Sequence, residues 1–546
     1  MEPVVTVTSS VEELQTEVPK ELLRGVSLDV CMGGFGRNLE RPEPGMFELD
    51  HRLYQQSTQM SSFHSFLSHD WGTSRWLKFM SLMVIYNSRA AFVCSLLVSL
   101  LVGILRAVGI IPDALWVELS VYAVFPVVLC FWQRIRTHIL RHPIHVFFDK
   151  LCIPQHDEDS KRQAVFGLAG FLDHAEQLTV IWSHRYFSRL WCTYEISTFL
   201  RDPKPKPILV MPAKLAVILL VFSAAVHLCN FGFSVLQDAR EHSDHDPMWL
   251  SFAPSEFWET MVNNALYLPF LGPVMPVLFY IGLGMIEDLA ELPNQLKMFK
   301  VQDAECFCCS KNHCHPETGE ELPCDRVLVF KMLRRWYGKE TDKKGGRQHL
   351  ERFNETVQEE LAPKVLQRMG SDVLPLNYSL YVILPGVLPS LASLIPKIAA
   401  GHPGDLGPLQ VIWAFRLLID WATNGMLNLF WIRISTRLWL LAVRYRQHCL
   451  RSRVALAILL PLPAGLLLSL ILFSTDMCLV MSEDDSVLPL IPFAFWLLLL
   501  CWIWSSTTST AHLTSAKLSK LTVAENPPTS KGVEVKLEDF ESEFSI

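Results

Sequence analysis

Long apolar runs alternate with short polar loops over most of the chain after residue 90. As a helix, each run rises 1.5 Å per residue and is long enough to cross about 30 Å of hydrocarbon. The pattern therefore predicts an α-helical polytopic membrane protein with about eight spans. Their predicted limits are Ala91–Ile111, Ala114–Trp132, Ala213–Val235, Val262–Ile286, Leu376–Ile398, Gln410–Ile432, Val454–Thr475 and Val487–Ser506.

The stretch from Ile144 to Pro212 has a different pattern. IHVFF and LTVIW are short β-branched and aromatic runs, PKPILVMP at 205–212 is a third, and the pieces between them carry apolar residues at helical spacing. Strands that alternate with short helices predict a parallel α/β sheet. FHSFLSHDWG at 63–72 has the composition of a further strand, and it precedes the first two spans.

Several motifs of these strands and helices resemble the TIR (Toll/interleukin-1 receptor) domain. In that family one strand ends in an Asp before a Pro-containing loop, the BB loop, and a later strand ends in Ser. A segment with Tyr and Ser that ends in W-C-x-x-E follows, here YFSRLWCTYE, and FHSFLSHDWG is similar to the family's first strand. Gln155 departs from the family, which has Gly after the BB-loop Pro. The matching positions are Asp149, Pro154, Ser183, Tyr186, Ser188, Trp191, Cys192 and Glu195.

The resemblance and the span pattern together predict a cytosolic α/β TIR-like parallel-sheet domain that a membrane hairpin interrupts. The alternative is that FLSHDWG is only a juxtamembrane segment and that the domain is partial. The predicted segments are a flexible leader (1–60), the first part of the domain (61–90), the hairpin (91–132), the remainder of the domain (133–212), spans three and four (213–286), a cytosolic Cys/His and charged loop (287–372), spans five to eight (373–506) and a disordered cytosolic tail (507–546).

Composition and charge agree with a membrane location. The 546 residues are 50% hydrophobic with a mean hydropathy of +0.25, which is too apolar for an ordinary soluble protein. Residues 433–453 carry six Arg and no acid, whereas 476–486 carry four acids and no base. Because cytosolic loops are enriched in Lys and Arg, we expect both termini and the α/β domain in the cytosol. The lipid bilayer is then a partner, and the net charge of −7 gives no reason to expect nucleic acid.

The resemblance implies a catalytic role for Glu195. In enzymatic TIR domains this Glu helps to cleave the bond between nicotinamide and ribose in NAD, so the chain would be an NAD glycohydrolase that requires no cofactor. A carboxylate suits this reaction because positive charge develops on the ribose carbon as nicotinamide leaves. The residues expected to line the nucleotide site are Ser68, His69, Asp70, Trp71, Asp149, Lys150, Cys152, Pro154 and Trp191.

Two other functions stay open at this point. Many TIR domains carry the same Glu and serve only as assembly modules, in which case Glu195 would cap or salt-bridge a helix and the domain would self-associate beside a sensing bundle. A channel or transporter with a regulatory α/β domain is the third candidate, because Arg416 and Asp420 lie one turn apart in the sixth predicted span. Charges in a span often mark an ion path, but an internal ion pair that locks the bundle explains them equally.

Cysteine and histidine residues crowd into nineteen residues of the predicted cytosolic loop. Thiolates and imidazoles suit zinc, which binds four such ligands in a tetrahedron. The overall spacing, C-x-C-C-x3-H-C-H-x8-C, is not that of a standard zinc motif, and reduced thiols without a ligand or S-acylation near the membrane are the alternatives. The sequon at Asn354 lies in the same loop, so we expect it to stay unmodified. The candidate ligands are Cys306, Cys308, Cys309, His313, Cys314 and Cys324, with His315 close by.

Overall fold

The computed structural model describes residues 18–41, 51–112, 114–154, 156–200, 206–241, 268–314, 319, 324–339, 342, 346–370, 374–402, 404, 407–445, 452–483 and 486–505. These residues are mostly helical and contain one six-stranded sheet. The strands are β1 (Arg24–Ser27), β2 (Thr58–Gln59), β3 (Phe63–His69), β4 (His145–Phe147), β5 (Ala175–Trp182) and β6 (Ile208–Pro212). Their order across the sheet is β2-β1-β4-β3-β5-β6.

The four strands predicted from the sequence, β3 to β6, are parallel to one another in this sheet. β3 pairs with β4 on one side and with β5 on the other, and β6 follows β5. The last five residues of both β3 and β5 are buried, as expected for parallel strands covered on both faces.

The sheet is mixed, however, and the prediction of a purely parallel sheet is incomplete. β1 runs antiparallel to β4 and to β2. Both added strands come from the predicted flexible leader, so that prediction is wrong for 24–27 and 58–59. Val26 and the following Leu28 and Cys31 are buried, and this apolar burial fixes the segment on the sheet. Residues 1–17 and 42–50 lie outside the described residues.

The order of the parallel strands creates a switch point between β3 and β5. The chain passes from β3 to β4 on one side and then returns to place β5 on the other side. In open α/β sheets, ligands bind outside the carboxyl ends of the strands at such a point. β3 ends at His69, opposite Ile181 of β5, so their carboxyl ends lie at one edge.

Helices connect these strands and continue into the apolar part of the chain. Within the sheet domain the helices are Arg75–Tyr86, Asp149–Cys152, Glu158–Phe166, Leu168–Asp173 and Leu190–Leu200, with short pieces at Leu28–Gly36 and His51–Gln55. Asp157 begins one of them by accepting a hydrogen bond from Ser160 N at 3.2 Å. After Arg75–Tyr86, the helices inserted between β3 and β4 are Ser88–Ala107, Leu115–Tyr122, Val124–Arg134 and the π-helical Ile135–Ile139.

Five helices of the described residues are long and apolar enough to cross a membrane, and two bent pairs raise the number to seven. The eighth predicted span corresponds to a shorter apolar helix, Leu490–Ser505, so the described residues do not confirm eight spans. The five are Ser88–Ala107, Ala213–Val235, Gly272–Lys297, Gly407–Arg444 and Arg453–Ile471. The bent pairs are Leu115–Tyr122 with Val124–Ile139 and Leu376–Gly386 with Leu388–Ala400. Pro385 and Pro389 explain the second bend, since proline removes a helical hydrogen bond.

The predicted cytosolic loop is folded against the sheet domain rather than solvated. Its helices are Phe307–Ser310, Asp325–Tyr337, Gln348–Thr356, Val357–Leu361 and Ala362–Gly370. Val329, Leu333 and Phe353 are buried in the same apolar cluster as residues of β3, β4 and β5. The loop and the sheet therefore share one core. Residues 315–318 and 320–323 lie outside the described residues.

Polar side chains connect the apolar helices to one another. Glu118 accepts hydrogen bonds from Ser234 Oγ at 2.7 Å and from Ser393 Oγ. Arg416 Nη2 donates to Leu479 O at 2.6 Å, and its Nη1 donates to Ser482 Oγ at 2.7 Å. The guanidinium thus satisfies acceptors at the end of a neighbouring helix, which favours a role in locking the bundle.

Candidate functional site

Ser68 and Glu195 meet at the edge where β3 and β5 end. Ser68 is the sixth residue of β3, and Glu195 lies in the helix Leu190–Leu200, which follows β5. Ser68 Oγ donates to Glu195 Oε2 at 2.5 Å and lies 2.6 Å from the hydroxyl of Tyr186. Tyr186 is fully buried, so the two hydroxyls and the carboxyl group form a largely enclosed hydrogen-bonded set. The switch point of the sheet brings the set together.

The enclosed position changes the acidity of Glu195. Burial raises the pKa of Glu195 to about 8, with a smaller upward effect from the Asp149 carboxylate, while the hydrogen bond from Ser68 lowers it. Burial also raises the pKa of Tyr186 well above its usual value, so its hydroxyl stays protonated. A carboxyl group with a pKa near neutral pH can accept and release a proton under physiological conditions.

Asp149 and two aromatic side chains form the neighbouring part of the site. Trp71 Nε1 donates to Asp149 Oδ2 at 3.0 Å, and the Lys150 amide donates to Oδ1 at 2.7 Å. The His69 ring packs against Trp71 and Phe148, with centroid distances of 4.5 and 5.5 Å, and the latter two rings are 5.8 Å apart. Burial lowers the pKa of His69 well below its usual value, with a further contribution from Lys78, so the imidazole is neutral.

Two lysines beside Asp149 contact backbone carbonyls of the N-terminal segment. Lys78 is completely buried, lies 4.5 Å from the centroid of the Trp71 ring and donates to Leu39 O at 3.3 Å. Burial lowers the pKa of Lys78 to about 8, and the Asp149 and Asp70 carboxylates oppose this effect. Lys150 Nζ donates to Glu40 O at 3.1 Å. The residues just before position 41 therefore cover this side of the site.

The structure brings most of the predicted nucleotide-site residues together, but not all. Ser68, His69, Asp70, Trp71, Asp149 and Lys150 lie at the ends of β3 and β4, and among them Ser68 contacts Glu195 directly. Asp70 is buried, accepts from Gly72 N at 3.0 Å and lies 3.6 Å from Arg189 Nε. Cys152 and Pro154 are buried, and Cys152 belongs to the apolar core beneath β4.

Trp191 contacts a different part of the chain from the one predicted. Its Nε1 donates to Asp325 Oδ2 at 3.2 Å, and its ring packs edge-on against Tyr194. Trp191 therefore contacts the folded loop through Asp325, whereas Glu195 contacts Ser68.

Sequence reasoning missed the covering residues of the site. Lys78 lies in an ordinary helical pattern, and the carbonyls of Leu39 and Glu40 are backbone groups of a segment predicted to be flexible. The sequence contains one indication of this role. Lys78 lies among the apolar residues Phe79, Leu82 and Met83 of its helix, and a lysine is rarely buried in such a position.

The Cys/His cluster of the loop forms a compact group of donor atoms. Cys308, Cys309, His313 and Cys324 each offer one ligand atom, and these atoms lie within 4.8 Å of one another. The group could hold a metal ion. His313 Nδ1 is buried and has no hydrogen-bond partner among the described residues, so its lone pair is available to coordinate a metal ion.

Two of the predicted ligands are not in this set of four. Cys306 Sγ contacts the set, 3.4 Å from Cys308 Sγ, but is not within 4.8 Å of all its donor atoms. Cys314 is exposed and also outside it. His315 lies outside the described residues.

A comparison of the chain with models of protein families, with curated proteins and with solved structures finds no match.

Proposed function

We propose that the chain is a multi-spanning membrane signalling protein whose cytosolic TIR-like α/β domain binds nicotinamide dinucleotides and cleaves their nicotinamide–ribose bond. The observation that carries this proposal is the contact of Ser68 with Glu195 at 2.5 Å, at the switch point of a largely parallel sheet. The five to seven candidate spans support the membrane part of the proposal.

The proposed reaction needs one carboxylate and one water molecule. The bond from the ribose C1′ to the nicotinamide nitrogen breaks, and its electron pair leaves with nicotinamide. Glu195 as carboxylate stabilises the positive charge on the ribose. Water then forms the new bond to C1′ and gives its proton to Glu195, which releases it to solvent. The products are nicotinamide, ADP-ribose and one proton.

The neighbouring residues supply binding and orientation in this proposal. Ser68 holds Glu195 in place through its hydroxyl, and Trp71 offers a flat apolar surface beside Asp149. Lys78 and Lys150 are buried and donate to the carbonyls of Leu39 and Glu40, so in this proposal they hold the N-terminal segment over this side of the site.

We propose zinc as the ion of the Cys/His cluster. Two sulfurs bound to one zinc at about 2.3 Å lie about 3.8 Å apart in a tetrahedron. The sulfurs of Cys309 and Cys324 are 3.8 Å apart. Three thiols and one imidazole are a donor set that zinc occupies in structural sites, whereas magnesium and calcium prefer oxygen.

A non-catalytic assembly module is the second candidate, and one observation favours it. The carboxyl group of Glu195 is already hydrogen-bonded to Ser68, and carbonyls of Leu39 and Glu40 already bind Lys78 and Lys150. A satisfied and covered set of polar groups suits a structural role in a domain that self-associates.

The test follows nicotinamide release from NAD by the full chain in nanodiscs. Glu195→Gln keeps the shape of the side chain, and we expect it to lower the rate at least about 100-fold, since it removes the ionisable group. Glu176→Gln is the matched control, because Glu176 is an exposed residue of β5. Equal rates in wild type and Glu195→Gln, or no release from folded wild type, would reject catalysis. Cross-linking of wild type into oligomers would then support the assembly module.

A further inference from the structure

The residue before the Cys/His cluster binds the start of the helix that carries Glu195. Glu305 N donates to Ser188 O at 2.7 Å, and Leu190 N donates to Glu305 O at 3.0 Å. The Glu305 carboxylate also lies 2.8 Å from Arg185 Nη2 and 3.5 Å from Arg189 Nη1. One residue of the loop therefore makes backbone and side-chain contacts with the segment that begins the helix Leu190–Leu200.

The residue after the cluster binds the same helix from a second direction. Asp325 Oδ2 accepts from Trp191 Nε1 at 3.2 Å, while Asp325 N donates to Cys308 Sγ at 3.3 Å. Asp325 also begins the helix Asp325–Tyr337, in which Trp336 stacks on Tyr194 with centroids 5.7 Å apart. Tyr194 is adjacent to Glu195 in the sequence, and Trp191 lies one turn before Glu195 on the same helix face.

The four donor groups lie between these two contacts. Cys308, Cys309 and His313 follow Glu305, whereas Cys324 directly precedes Asp325. Cys309 and Cys324 are 15 positions apart, so an ion bound to both closes a loop. The ion thereby connects Glu305 and Asp325, the two residues that contact the helix Leu190–Leu200. Metal binding of this type couples directly to local folding.

We infer that the Cys308–Cys309–His313–Cys324 site binds a structural zinc ion that holds the loop on the helix Leu190–Leu200, with Asp325 as the positioning residue that connects the metal site to Trp191. The inference takes only the identity of the ion from the proposed function. It does not require that Glu195 be catalytic. In the proposed enzyme, loss of the ion would loosen the helix that places Glu195 against Ser68.

The first experiment measures zinc in the full chain, purified under reducing conditions in nanodiscs and reconstituted with zinc. We expect about one zinc per wild-type chain and close to none in Cys324→Ser. Cys314→Ser is the matched control in the same segment, because Cys314 is exposed and outside the set of four, and it is expected to keep the ion. Wild type without zinc after reconstitution, or Cys324→Ser with a full complement, would overturn the site.

The second experiment follows hydrogen exchange of residues 186–200 by mass spectrometry, with and without a zinc chelator. We expect chelation to increase exchange in this segment and to leave β3 and β5 protected. Trp191→Phe removes the indole donor and should keep zinc while raising exchange of residues 190–195 about five- to tenfold, as expected for the loss of one hydrogen bond.

These readouts separate the inference from the proposed function. Unchanged exchange of 186–200 after complete zinc removal would overturn the coupling, whatever the result of the nicotinamide assay. Zinc-dependent exchange in a chain without nicotinamide release would retain the coupling and reject only the catalytic role of Glu195.

Discussion

Ser68 and Glu195 are 127 positions apart in the sequence, yet Ser68 Oγ lies 2.5 Å from Glu195 Oε2. The apolar helices between β3 and β4 separate them along the chain. β3 nevertheless pairs with both β4 and β5, so the insertion leaves the sheet intact. The candidate site depends on a domain that is assembled from both sides of the inserted helices.

Glu195→Gln should change the pH dependence of stability. The pKa of Glu195 is raised from 4.5 to about 8 in the folded chain, so the folded state holds its proton while the unfolded state releases it. Wild type therefore loses stability as the pH rises from about 4.5 to about 8, and the loss is complete above pH 8. The Gln variant cannot ionise and lacks this loss.

The comparison is made by thermal melting in nanodiscs at pH 4.5, 6 and 8.5. At pH 8.5 we expect the Gln variant to be more stable by at least about 1.4 kcal/mol, the free energy of a tenfold change in an acid constant. At pH 4.5 the two proteins should melt alike. A difference that is constant over the whole range would show that ionisation of Glu195 does not cause it.

Ser68→Ala should move the upper limit of this pH range. The hydroxyl of Ser68 lowers the pKa of Glu195, and its removal should raise that pKa further above about 8. The loss of stability should then continue to higher pH than in wild type. Ser65→Ala is the control, since Ser65 lies in the same strand, is buried and bonds to Thr179 instead. A Ser68→Ala profile that coincides with that of Ser65→Ala would contradict the assignment.

Two strand ends at the site were predictable from the sequence because a polar residue follows each strand closely. Asp70 comes directly after β3 and Asp149 two residues after the end of β4, and parallel strands place such residues at one edge. The role of the N-terminal segment was not predictable, since β1 has only four residues and β2 only two. The pairing of β1 and β2 depends on tertiary contacts, and the pattern of apolar and polar residues in such short strands does not reveal them.

The metal group was predictable in part for a related reason. The sequence placed the candidate ligands in one loop because its Cys and His residues are concentrated there. Their spacing did not show that Cys309 belongs to the set of four and that the exposed Cys314 does not. The link from Asp325 to Trp191 joins residues 134 positions apart, and no local pattern indicates such a contact. The alternation of long apolar runs, by contrast, identified every candidate span region.

Asn354 should stay unglycosylated in eukaryotic cells, despite its sequon. Its side chain is only 8% exposed, accepts from Val301 N at 2.9 Å and donates to Gln302 Oε1 at 3.0 Å. Attachment of a glycan to Asn354 Nδ2 would require this buried side chain to become exposed and would disturb its contact with Gln302. Glycosidase treatment should therefore leave the electrophoretic mobility unchanged. A shift that disappears in Asn354→Gln would contradict both the folded loop and its predicted cytosolic location.

Gly282→Ala should disrupt the contact between two of the apolar helices. Gly282 lies in the helix Leu268–Lys297, and a Cβ atom there would overlap the indole of Trp439 in the helix Gln410–Tyr445. Trp439 is fully buried and also packs edge-on against Phe279 at 5.6 Å, so its ring has little room to move. Overpacking of this kind costs about 1–3 kcal/mol. We expect a lower melting temperature and a change in tryptophan fluorescence.

Gly272→Ala provides the matched control for that substitution. Gly272 lies in the same helix, but a Cβ atom there meets nothing within 4 Å. Alanine favours a helix over glycine by about 1 kcal/mol, so this variant should melt at the wild-type temperature or slightly above it. Equal melting temperatures for the two variants would mean that Trp439 does not pack against Gly282. A lower temperature for Gly282→Ala alone would establish that the close approach of these two helices depends on a residue without a side chain.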